Sequence, residues 1–156
     1  MKIIYHCFGG AHSSVTAAAI HLELLTDTQR VSKAELLNLP YFDAQIGKDH
    51  GRIRFMGFDS RGNEVYITGK KNLGMFYARI MRHLLVLSGE KPKNFVFINT
   101  MPYVNLWMVI GGYLSRRLRL KCLGRPIVIY GTRKSYRKFV QLVNFVKDKN
   151  FNDHCC

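Results

Sequence analysis

The sequence predicts an α/β fold, a three-layer Rossmann-like sandwich with a mainly parallel core sheet and one β-hairpin. Three observations lead there. Short apolar runs of strand type recur at Ile3-Ile4-Tyr5, Phe95-Val96-Phe97-Ile98 and Ile127-Val128-Ile129-Tyr130. The segments between them are long enough to hold crossover helices, which parallel strands require. Ile53 and Phe55 alternate with Arg52 and Arg54 and are followed, after an Asp/Gly/Asn-rich link, by the alternating Val65 and Ile67. That pair reads as the hairpin.

Each element has its own warrant. Val15 to Leu25 is rich in Ala and Leu and reads as a first helix, ending near Thr26-Asp27-Thr28. Ser32-Lys33-Ala34-Glu35 has the spacing of a capping box and opens a short helix that Pro40 stops. Tyr41 to Gly51 is a polar connector, within which Asp49-His50 has the makings of an acid/base pair or of plain surface polarity. A helix follows the hairpin from about Leu73 to Leu87, with Phe76, Ile80, Leu84 and Leu87 as its buried stripe. The continuous apolar run Phe95–Ile98 reads as a central strand. A helical segment from about Tyr103 to Leu118 carries Gly111-Gly112 in its middle, which mark a kink or a close approach. Gly124-Arg125-Pro126 leads into the last strand, and a final helix presents Tyr136, Phe139, Val140, Val143 and Val146 on one face. Residues 1–149 read as a single α/β domain and 150–156 as a flexible tail.

Composition narrows the class. The chain has 156 residues, 47% hydrophobic and 22% charged, values of an ordinary globular protein. Met101 to Leu114 is the longest apolar stretch, and Pro102, Asn105 and two glycines leave it too short to span a bilayer. With Trp107 and the following cations it reads as a core helix whose end suits its dipole, contact with a membrane surface being the alternative. No signal segment is expected, because the chain opens directly on a strand. Four cysteines without framework spacing point to a reducing, cytoplasmic setting. Lysine and arginine total 24 against 10 acidic residues, so the net charge of +14 attracts polyanions without choosing among them.

The strongest local signal is the first turn. Ile3-Ile4-Tyr5 runs through His6-Cys7-Phe8-Gly9-Gly10-Ala11-His12-Ser13-Ser14 into the first helix. A strand, a glycine turn and a helix opening on hydroxyls can direct backbone N–H groups into one concavity and hold an anion there. Cys7 falls at the strand end, where the helix start would favour a thiolate. The architectural alternative is a glycine turn that only lets a helix pack, with Cys7 a small buried hydrophobe. In a doubly wound sheet ligands bind at the carboxyl ends of strands. That rule gathers Gly9, Gly10, Ser13, Ser14, Lys70, Asn99, Thr132 and Arg133 as ligand contacts, with Arg125 nearby and Cys7 and His12 as the reactive groups. The expected ligand is a phosphorylated small molecule or nucleotide. A Walker phosphate loop is excluded, since its Gly-Lys-Ser/Thr ending is absent.

Cys7 to Ser14 resembles two cysteine-phosphate loops. One is the strand-loop-helix of low-molecular-weight tyrosine phosphatases, in which an arginine follows the cysteine after five residues. Ser13 stands at that position here, so Arg125 or Arg133 would have to supply the guanidinium. The other is the Cys-x-x-Gly-x-x-Ser/Thr-Ser loop of sugar-phosphotransferase IIB subunits, matched by Cys7, Gly10, Ser13 and Ser14. A broader resemblance rests on Tyr5 to Ser14, Asp49-His50-Gly51-Arg52, Gly62-Asn63-Glu64-Val65-Tyr66, Gly111-Gly112 with Ser115-Arg116-Arg117, and Gly124-Arg125-Pro126-Ile127-Val128. Together these are similar to an uncharacterised bacterial family, domain of unknown function 3189, found mainly in Gram-positive spore formers. It implies a cytoplasmic bacterial protein and no mechanism.

Other groupings are weaker. His6, Cys7 and His12, with His50, would suit zinc, but adjacent strand residues point to opposite sides, so no metal is assigned. Asp153-His154-Cys155-Cys156 places thiols on the tail. The functional contest is therefore between a phosphate-ester or nucleotide pocket using Cys7 and a non-enzymatic nucleic-acid-binding protein. The second would use Arg52/Arg54, Lys70/Lys71 and Arg116/Arg117/Arg119 interleaved with aromatics.

Overall fold

The computed structural model describes residues 1–26, 30–44, 49 and 51–149. The first helix ends at His21 rather than near 26–28, while expectations for His50 and for the tail 150–156 lie outside those residues. The chain folds as a mixed α/β structure around a four-stranded sheet of order β2-β3-β1-β4. Here β1 is Lys2–Cys7, β2 Ile53–Phe58, β3 Glu64–Gly69 and β4 Phe95–Asn99. β1 lies parallel between β3 and β4, and β2 pairs antiparallel with β3. The hairpin is therefore as predicted. Its turn is fixed by the Asp59 carboxylate, which accepts the N–H groups of Arg61 and Asn63. β4 is an edge strand rather than the expected central one, and its side chains are only half-buried.

Alternation along β1 assigns the two faces. Ile3 and Tyr5 join the main core with Val15 and Ala17–Ile20 of α1 (Ser13–His21) and Val128, Phe139 and Val143 of α5 (Lys121–Asp148). α2 (Lys33–Asn38) closes one end, and its capping box forms as the sequence specifies: Ser32 Oγ accepts the Glu35 N–H while Glu35 accepts the Ser32 N–H. The other face of β1 meets α3 (Phe76–Leu87), where Tyr77 lies against the His6 and Phe97 rings.

Two further expectations fail. The α3 stripe Phe76, Ile80, Leu84 and Leu87 faces solvent, and Tyr77 is the helix's buried residue instead. Beneath α3, Ile4, Tyr66 and Phe97 share an apolar groove of about 160 Å³ with Met81 and Leu85. The second failure is larger. Ile127–Tyr130 is not a strand but the second and third turns of the 28-residue α5, with Pro126 inside the helix. The cause is α4 (Leu106–Gly112) and the π-helical turn Tyr113–Arg117 that follows it. Gly111, Gly124 and Gly131 let the two backbones touch. A Cβ on Gly111 would lie 2.3 Å from the Val128 nitrogen, one on Gly124 2.3 Å from the Ser115 nitrogen, and one on Gly131 2.6 Å from the Met108 nitrogen. Gly111 thus marks a close approach. Asn105 ties the seam off: its Oδ1 caps α4 at Met108 N–H, and its Nδ2 donates to the Gly131 carbonyl and Ser135 Oγ. Among the described residues no helix is long and apolar enough to cross a membrane.

Candidate functional site

The parallel pairing of β1 with β3 and β4 brings three strand ends together. His6 stands level with Thr68 and Asn99, and Cys7 with Gly69. The chain leaving β1 stays tied to β3, since Lys70 N–H bonds the Cys7 carbonyl and Lys71 N–H the Phe8 carbonyl. Gly69 permits this closeness: a Cβ there would sit 2.8 Å from the Gly9 carbonyl carbon. Gly10 then adopts a positive φ of 69°, turning the backbone toward α1.

That turn folds back over the cysteine. Cys7 Sγ accepts the Gly10 N–H at 3.0 Å and lies 3.3 Å from Ser14 Oγ, and the residue is buried. Lys70 is buried beside it, with Nζ donating to the Gly74 carbonyl and to Asn99 Oδ1. Burial lowers the Lys70 ammonium's pKa, and the neighbouring Cys7 sulfur opposes that shift. Ser13 is spent on architecture. The Thr100 hydroxyl donates to the His6 carbonyl, so Ser13 Oγ must donate to Thr100 Oγ1 at 3.0 Å. Among the described residues no N-cap side chain bonds the first N–H groups of α1.

His12, the residue before α1, turns away from the cysteine. Its Nε2 lies 3.1 Å from Asp43 Oδ1, its ring meets Phe42 edge-on, and Gly112 leaves room for it. Among the described residues no hydrogen bond links His12 with Cys7. Asp43 is a residue the sequence reading passed over as one polar member of a connector. It is fully buried at a positive φ of 49°, with its N–H on the Ala11 carbonyl. Its carboxylate also accepts Ser115 Oγ at 2.8 Å and Arg125 Nε at 2.8 Å, and its carbonyl accepts Arg116. Burial would push this carboxyl up, but the bonds from His12, Arg125 and Ser115 hold it well below the usual range. The signal that could have found Asp43 is its place in a long polar connector. Nothing local announced its burial.

The expected rim is therefore divided. Cys7, Gly9, Gly10, Ser13, Ser14, Lys70 and Asn99 do meet at the strand ends. Arg125 reaches the neighbourhood from α5, through Asp43. Thr132 and Arg133 stand on α5 rather than at a strand end, because that strand does not exist: Thr132 Oγ1 bonds the Val128 carbonyl within the helix, and Arg133 is exposed. His6 and Cys7 face opposite sides of β1, as their alternation required.

A second buried polar chain was not foreseen. Tyr5 OH bonds His21 Nδ1 at 2.8 Å, and His21 Nε2 bonds Asp59 Oδ2 at 3.1 Å. It ties β1 and α1 to the hairpin turn, away from the cysteine.

The fold and site define an α/β protein with a cysteine at a strand-loop-helix junction. Residues 2–148 match the family described as protein of unknown function, DUF3189, and the chain belongs to that family. No curated protein and no solved structure matches the chain.

Proposed function

We propose that this protein binds the phosphate group of a small phosphorylated ligand or nucleotide at the Cys7–Ser14 turn and transfers or hydrolyses it through Cys7. One observation carries the reading. The Cys7 sulfur sits between the Gly10 N–H and the Ser14 hydroxyl, beside the Lys70 ammonium and the uncapped start of α1. These are groups that steady a sulfur anion and a bound phosphate alike. The finer architecture belongs to the same proposal: a three-layer Rossmann-like sandwich with the ligand at the carboxyl ends of its strands, working in the cytoplasm.

In this scheme Cys7 Sγ attacks phosphorus, and an S–P bond forms as the ester P–O bond breaks. The departing oxygen takes a proton from solvent, since His12 is turned away from the cysteine and held on Asp43. Water then cleaves the S–P bond: its hydroxyl joins phosphorus to release inorganic phosphate, its proton goes to solvent, and the Cys7 sulfur is freed. Arg125, held at the site's edge by Asp43, supplies the guanidinium that phosphatase-type loops carry where Ser13 stands here.

Internal pairing favours this over nucleic-acid binding. Arg54 is committed to Asp49 at 2.6 Å and stacked on Tyr41, Lys70 is buried, and Arg116 is held by the Asp43 carbonyl. Three of the cations that a polyanion surface would use are thus turned inward.

The test is a thermal-shift panel of phosphate, sugar phosphates, nucleotides and short RNA at fixed ionic strength, on the native chain, Ser14→Ala and Cys7→Ser. One phosphorylated small molecule should raise the melting temperature, and Ser14→Ala should abolish the shift. Cys7→Ser should keep binding and lose turnover. Full turnover by Cys7→Ser refutes the nucleophile. A shift from RNA alone, lost with salt, refutes the pocket.

A further inference from the structure

The outward face of α4 and the turn after it carry apolar side chains that none of the described residues covers. Met108 and Gly111 face α5, so Leu106, Ile110 and Tyr113 point away from the protein, with exposures of 68%, 38% and 51%. Trp107 flanks them, its ring edge-on to Tyr130 of α5 at 5.6 Å. From the last residue of the π turn the sequence alternates Arg117-Leu118-Arg119-Leu120-Lys121, and all five residues are exposed. Arg119 takes a positive φ of 58°, so the turn folds sharply where leucines and cations stand side by side.

The charge of this region is one-sided. Between Lys91 and Lys147 there are twelve lysines and arginines and no acidic residue. A second copy of the chain docking here would bring cation against cation, with no carboxylate on the face to relieve it. Nucleic acid would match the charge but leaves Leu106, Ile110, Leu118 and Leu120 without purpose, since it is held by cations and stacking aromatics. An anionic bilayer meets both halves of the pattern. Aliphatic side chains enter the acyl boundary, tryptophan and tyrosine sit at headgroup level, and arginine and lysine meet the lipid phosphates.

We infer that α4 and the 117–121 turn form a docking surface for anionic lipid membranes. The protein lies on the bilayer through this face and does not span it.

Trp107 is the chain's single tryptophan, which makes the test direct. The full chain is titrated with vesicles of phosphatidylglycerol and phosphatidylcholine in equal parts, and with phosphatidylcholine alone, at about 0.1 M salt, where exposed charges still act over about 10 Å. Trp107 emission should shift to the blue, and the protein should sediment with the anionic vesicles only. Leu118→Glu/Leu120→Glu and Arg117→Glu/Arg119→Glu should each weaken binding at least about tenfold. Their positions are exposed, so each should melt like the native chain, and either one suffices for the test. Unchanged emission with anionic vesicles overturns the inference. So does a blue shift that follows protein concentration without lipid, which assigns the face to a second copy. RNA binding that ignores the leucine variants, without vesicle binding, assigns it to nucleic acid.

Discussion

At the scale of single residues, Asp43 concentrates more of the site than any glycine or serine in the first turn. It is buried in a backbone conformation that costs a non-glycine residue about 1 kcal/mol or more. Such strain persists only where the surroundings over-determine it, and four partners do so here: His12, Ser115, Arg116 and Arg125. Asp43→Asn keeps the shape and removes the charge, so two guanidinium groups lose their counter-charge. Arg125 is 42% exposed, so water takes up part of the loss. The expected destabilisation is about 2 kcal/mol, below the 3–5 of a fully buried pair. Arg125→Ala should cost about 1 kcal/mol, and urea unfolding separates the two. Equal and negligible losses would show that the cluster is held by packing alone. Cys7, Gly10 and Ser14 were legible because glycine turns and helix starts have local chemistry. Asp43 was not, because three of its four partners come from 72 to 82 residues along the chain and the fourth, His12, from 31.

At the scale of elements, the same contrast separates α2 from α5. The capping box Ser32/Glu35 is a four-residue statement and is read without knowing the rest. Pro126-Ile127-Val128-Ile129-Tyr130 makes an equally clear local statement, and it is overruled. Its β-branched residues enter a helix because Gly111, Gly124 and Gly131 let α4 and α5 approach to backbone contact, burying Val128 and Ile129. Neither glycine pattern nor β-propensity alone reveals a pairing of that kind. The prediction follows from the spacing. In Gly111→Ala the new methyl would meet the Val128 backbone at 2.3 Å, and backbone cannot step aside as a side-chain tip can. The helices must separate, at a cost of about 3 kcal/mol. Gly112→Ala meets only the His12 ring, at 3.4 Å, and trades that contact against the roughly 1 kcal/mol that alanine gains in a helix. Thermal melts should therefore place Gly111→Ala far below the native chain and Gly112→Ala within a few degrees of it. Similar melting temperatures for the two would deny that the seam is close-packed.

At the scale of the whole molecule, stability against acid should come apart in two stages, because protons are counted over folded and unfolded chains together. His6 is buried against Tyr77, its Nδ1 has no hydrogen-bond partner among the described residues, and Lys70 is near. Burial first, and then Lys70, push its pKa down to about 4 from 6.5. Burial lowers His21 as well, against the opposing pull of Asp59. Between about pH 6.5 and pH 4 the unfolded chain therefore binds protons that the folded chain refuses, and stability falls as pH falls. His6 alone accounts for about 3 kcal/mol by pH 4, at 1.36 kcal/mol per pH unit. The carboxylates act lower. Burial would raise Asp59, but Asn63, His21 and Arg61 hold it at about 2, and Asp43 is held low by its own partners. Their stabilisation is present above the ordinary 3.8 and is lost as pH drops through the folded values. His6→Phe places an apolar ring beside Tyr77 and Phe97 and removes His6's share of the first stage, leaving that of His21 and the whole second stage. Urea midpoints taken from about pH 7 to about pH 3 should show the variant losing at least about 2 kcal/mol less than the native chain down to pH 4. Below that the two curves should run parallel. Parallel curves over the whole range would mean that His6 accepts its proton in the folded state, and that the space under α3 admits water.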